Sequence, residues 1–140
     1  MSTSTPISGL TSVVITAAIT NMNGFIVIGA LQGSFDSTTQ TLPTAANIKN
    51  GIFTSNTTLT QVKMIHTSQN YNTTFQFADL QPNTVYSFFY YCTVEDPQIT
   101  SLGSTVSVVM AQTLQMLTID INWERFMGAV VALLALSLLL

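Results

Sequence analysis

The reactive side chains of this protein are few, and their spacing decides what chemistry is open to them. His66 is the single histidine, near the end of the run Val62-Lys63-Met64-Ile65-His66. A lone imidazole at a strand end, with no nucleophile or carboxylate at a fixed offset, reads as a surface histidine rather than a general base. Cys92 is the single cysteine, which excludes an internal disulfide and a Cys-based metal site. It shares strand parity with Tyr86, Phe88, Tyr90 and Val94, so its thiol is expected in the core, inert through burial. Glu95 and Asp96 are adjacent carboxylates, but a Ca²⁺ ion wants about six to eight oxygens and no periodic Asp/Asn series accompanies them. No glycine-rich loop joins a strand to a helix, so phosphate cradling has no support. The expectation is a protein that is not an enzyme, with no catalytic residue, cofactor or metal. Two triplets carry a different chemistry. Asn56-Thr57-Thr58 and Asn72-Thr73-Thr74 both satisfy N-x-[ST], so N-linked glycans are expected on Asn56 and Asn72.

The surface that must present these groups is unusual. Charged residues make up 6% of the chain, against about 25% in an ordinary soluble protein. The polar exterior is therefore built from 22 Thr, 13 Ser, 9 Asn and 9 Gln, and sugars would add the solubility that charge does not. Lys49, Lys63 and Arg125 are the only cations, too few for a phosphate-binding patch, so no nucleic-acid partner is expected. Abundant β-branched and aromatic residues argue against disorder. The sequons fit an exported chain. Residues 1–23 contain no Lys or Arg and alternate rather than run, so the sequence shows no secretory leader of its own.

Period-2 stretches separated by turn signals predict an all-β sandwich. The expected strands are 11–20, 25–31, 60–67, 73–78, 84–94 and 105–113, with one helical turn in 43–51. Composition changes near residue 122, and 123–140 then reads as an apolar helix. The predicted organisation is a lead-in over 1–9, a sandwich over 10–114, an extended connector over 115–122 and the apolar helix over 123–140.

Leu80-x-Pro82-x-Thr84-x-Tyr86 stands just before the most aromatic strand. This spacing resembles the tyrosine corner of fibronectin type III domains. Pro82 and Asn83 would make the turn, Leu80 would plug the core, and the Tyr86 hydroxyl would bond back to upstream backbone. The segments PTAANIKNG (43–51), TVYSFFYYCTVEDP (84–97) and STVSVVMAQTL (104–114) resemble stretches of such domains in microbial surface proteins. The likeness covers about residues 10–114 and departs from the family in lacking a tryptophan in the second strand. It implies a fibronectin type III/immunoglobulin-like β-sandwich, and a binding or spacer module outside a cell.

Two apolar surfaces then need partners. If Tyr86, Phe88 and Tyr90 point inward, Phe89 and Tyr91 point outward, where they are expected to form a contact surface unless a glycan or the preceding loop covers them. Leu117, Ile119 and Ile121 alternate with polar residues like a strand without a partner in a seven-strand domain. Trp123, Phe126, Val130, Leu133 and Leu134 belong to the terminal helix, which must bury its surface in lipid or against protein. Two readings follow. One is an extracellular structural subunit that packs with copies of itself or other surface proteins into a fibre or coat. The other is a cell-surface adhesion or receptor module held in a membrane by residues 123–140. A carbohydrate-processing accessory domain is a third class, but nothing in the sequence points to a sugar groove.

Overall fold

The computed structural model describes residues 1–20, 22–94, 105–116 and 123–139. Its strands form antiparallel sheets, as the alternation requires. In the first sheet, β3 (Val13–Ala18) is central. On one side it pairs with β1 (Ser2–Thr3) and β2 (Ile7–Ser8), and on the other with β8 (Thr73–Phe77). In the second sheet the order is β10 (Ser107–Gln112), β9 (Val85–Val94), β4 (Gly24–Gln32), β7 (Gln61–Thr67). Between β4 and β7 the chain makes α1 (Ala45–Lys49) and a hairpin of β5 (Ile52–Thr54) and β6 (Thr57–Thr58). The last element is α2 (Trp123–Leu139).

The core lies between the two sheets. Val13, Ile15 and Ala17 of β3 and Phe75 and Phe77 of β8 meet Ile26, Ile28 and Ala30 of β4 and Tyr86 and Phe88 of β9. Each set is a strand's alternate residues, so period 2 places its members on one face. Ile65, Tyr90, Cys92, Val109 and Ala111 pack partly buried at its margin, so the Cys92 thiol sits at the edge of the core rather than deep within it.

The lead-in expected over 1–9 contributes strands to the sheet. Its pairing is hard to read from sequence because Pro6 divides it into two-residue pieces, Ser2↔Ala18 with Thr3↔Ala17 and Ile7↔Val14 with Ser8↔Val13. The helical turn is placed as the sequence predicts. Thr44 caps α1, its hydroxyl accepting from the Asn47 N–H at 3.2 Å. The connector residues Leu117, Ile119 and Ile121 lie outside the described residues, as do Glu95 and Asp96.

Candidate functional site

The corner residues are brought together by the turn from β8 into β9. Leu80 is buried in the core cluster, and Asn83 takes a left-handed φ of 48°, which its short polar side chain tolerates. The Tyr86 ring is buried, and its hydroxyl accepts from the Gln81 N–H at 2.9 Å, reaching back five residues. Thr84 Oγ1 donates to the Pro82 carbonyl at 2.8 Å. Thr113 closes the arrangement: its hydroxyl donates to the Gln81 carbonyl at 2.6 Å and accepts from the Thr84 N–H at 3.0 Å. The corner thus ties β9 to the end of β10, and it offers no group for chemistry.

Phe89 and Tyr91 require a correction. Both point away from the inter-sheet core, as parity demands, but neither is exposed: Phe89 is 0% and Tyr91 5% accessible. The segment between β4 and β7 folds over this outer face and forms a second cluster of Val27, Phe35, Ile48, Phe53, Leu59, Phe89 and Tyr91. Phe35 meets Phe89 edge-on at 5.5 Å and Phe53 stacks on it at 5.4 Å. Burial raises the Tyr91 phenol above its ordinary 10.0, which keeps it neutral. Two sequence signals pointed this way. The strand Phe25–Leu31 is apolar on both faces, and Gly29 interrupts it where a Cβ would come within 2.6 Å of Leu59 Cδ1 and 3.1 Å of Ile48 Cγ2. A glycine inside a strand marks such a close approach.

The insert also shapes a depression of about 460 Å³ lined by Thr39, Thr41, Thr44, Asn47 and Phe53 among others. No titratable side chain lines it, so its lining holds no acid–base pair and no base to activate a threonine hydroxyl. At its approach Asp36 is exposed, and hydrogen bonds from the Thr38 hydroxyl and N–H hold its carboxyl below the usual 3.8. His66 is exposed near the end of β7, its ring edge-on to Phe25 at 5.0 Å. Among the described residues, no three His, Cys, Asp or Glu side chains converge on a point that could hold a metal.

Asn56 lies at the turn of the β5–β6 hairpin and Asn72 just before β8, and both are exposed together with the sequon hydroxyl residues Thr58 and Thr74. Glycosylation at both is the expected outcome for natively sourced protein. Intact mass should fall on glycosidase treatment and lose one glycan in each of Asn56→Gln and Asn72→Gln. An unshifted mass refutes the assignment.

α2 carries exposed apolar side chains along its length. Phe126, Leu133 and Leu134 are exposed, as are Met127, Val131, Leu136, Leu138 and Leu139, and Val130 alone is half-buried. Trp123 opens this helix. No described helix is long and apolar enough to cross a membrane. No family model matches the chain, and no curated protein matches it in sequence.

Proposed function

We propose that this chain is a non-catalytic extracellular structural subunit. On this reading it is a glycosylated fibronectin type III/immunoglobulin-like sandwich that assembles with copies of itself into a surface fibre or coat. The single observation that carries the reading is α2, whose apolar side chains are exposed along its described length beside a sandwich whose own core is closed. Burying a Leu-sized side chain is worth about 1.5–3 kcal/mol, so clustering even a few of these per copy is a strong drive to associate. The fibronectin type III assignment is supported by the Gln81–Tyr86 bond at the corner and by the strand order, with β1, β2, β3 and β8 in one sheet and β10, β9, β4 and β7 in the other. The connector residues Leu117, Ile119 and Ile121 join the assembly reading through their strand pattern alone.

One observation favours a membrane-tethered adhesion module as the second reading. The only hydroxyl in the apolar stretch, Ser137, donates to the Leu134 carbonyl at 2.8 Å, so no polar side chain on α2 after Arg125 needs water. Against it, 17 residues rise about 26 Å where a bilayer core is about 30 Å thick. Light scattering of the full chain with and without detergent decides between the two readings. The assembly reading expects large particles in buffer that shrink to the monomer on deleting 123–140. A parent that is monomeric only in detergent, and precipitates without it, overturns that reading in favour of the tether.

A further inference from the structure

The two main sheets present four edges, and three of them are blunted. The β1–β2 edge is broken into two-residue pieces around Pro6. On the far side, β7 and β8 lie together. Lys63 of β7 reaches inward to place Nζ 5.8 Å from the Phe77 ring of β8, and Gln61 Nε2 donates to the Ala78 carbonyl at 2.6 Å. A charge turned inward from an edge strand resists extension of the sheet, because an added strand would strip it of water.

Among the described residues β10 has no such guard. Its sequence SVVMAQ carries no charge and no proline, and among the described residues it pairs in unbroken register with β9 alone, from Ser107↔Tyr90 to Gln112↔Val85. Its outer row runs from Val106 and Val108, half-buried against the insert, to Met110, 46% exposed. Only past its end does the chain cross to the other sheet, where the Leu114 N–H donates to the Gly9 carbonyl at 2.9 Å.

We propose that the open edge of β10 docks β10 of a second copy, antiparallel about a two-fold axis at Val109. The proposal rests on the self-assembly reading above and names a contact for it. The occupant follows from self-complementarity. An axis at Val109 sets Val108 opposite the second copy's Met110 and Ser107 opposite its Ala111, so apolar meets apolar on the outer row and no like charges face each other. A charged partner would find nothing on β10 to pair with. Antiparallel docking sends the two chains out at opposite ends of the shared ladder. Dimers joined again through α2 then propagate as an open fibre rather than closing.

The test places a nitroxide on the full chain at Met110→Cys in a Cys92→Ala background, with Met64→Cys on the guarded β7 as the control. Ladder geometry sets the two residue-110 Cα atoms about 8 Å apart. Strong dipolar broadening is therefore expected at 110 in the assembled state and none at 64. With the native cysteine retained, Met110→Lys is expected to reduce the particles to pairs joined through α2, with the far-ultraviolet dichroism unchanged. Particles that form with uncoupled labels at 110, and with Met110→Lys assembling like the parent, overturn the β10 contact and leave self-assembly standing. A parent that does not associate in buffer overturns both.

Discussion

Replacing Phe89 with alanine is expected to cost about 3–5 kcal/mol, the range for a buried aromatic truncated in a packed core. The ring is wholly inaccessible and is shared by Phe35 and Phe53, so its removal leaves a cavity that two further rings border. Aromatic pairs add about 0.5–1.5 kcal/mol each beyond their burial, which puts the loss toward the upper end. The consequence is local before it is global. The insert is held to the second sheet by this cluster, by the Gly33 N–H to the Val85 carbonyl at 2.8 Å and by the Thr60 N–H to the Ala30 carbonyl at 2.7 Å. Both backbone bonds lie at its ends. Without Phe89 the exposed stretches between them should be cleaved by protease faster than in the parent, while the inter-sheet core persists. Urea unfolding gives the stability change, and timed proteolysis with mass mapping gives its location. A loss below about 1 kcal/mol with unchanged cleavage would mean that the insert does not seat on Phe89.

The contrast between Phe89 and Tyr86 shows what the sequence can carry. Tyr86, Leu80, Pro82 and Thr84 lie within seven residues, and their geometry is set by one turn, so a spacing suffices to find them. Parity likewise sorts Phe88 from Phe89 onto opposite faces. What it cannot supply is the cover. Phe35 and Phe53 come to Phe89 from more than thirty residues away, through a segment whose polar look hides two aromatic anchors. Gly29 and the doubly apolar strand around it are the only local trace of that close approach. The split first strand is illegible for another reason. Each half pairs over two residues, too short for any period to register. For α2 the helix itself is evident from its leucines and alanines, but that composition does not say what its exposed side chains pack against.

Tyr86→Phe is expected to destabilise the sandwich by about 1–3 kcal/mol, although it removes one oxygen and keeps the ring in place. The oxygen is the acceptor for the Gln81 N–H, so phenylalanine leaves that donor without its partner at a turn packed over the core. The opposite face of the same residue provides an internal check. The Gln81 carbonyl accepts from Thr113, whose oxygen in turn accepts from the Thr84 N–H. Tyr86 and Thr113 therefore hold the two backbone groups of one residue, and each loss should loosen the geometry the other needs. Thr113→Val keeps the shape of the side chain and removes its hydroxyl. The double mutant is then expected to lose less than the sum of the singles, by about 0.5–1 kcal/mol, where distant sites would add. Amide exchange at Gln81 separates this from a general softening, since its protection should fall in Tyr86→Phe while that of Ile15 and Ile28 drops only by the global stability change. Additive losses, or a Gln81 amide that exchanges as slowly as in the parent, would show that the corner is held by ring packing and not by its hydrogen bonds.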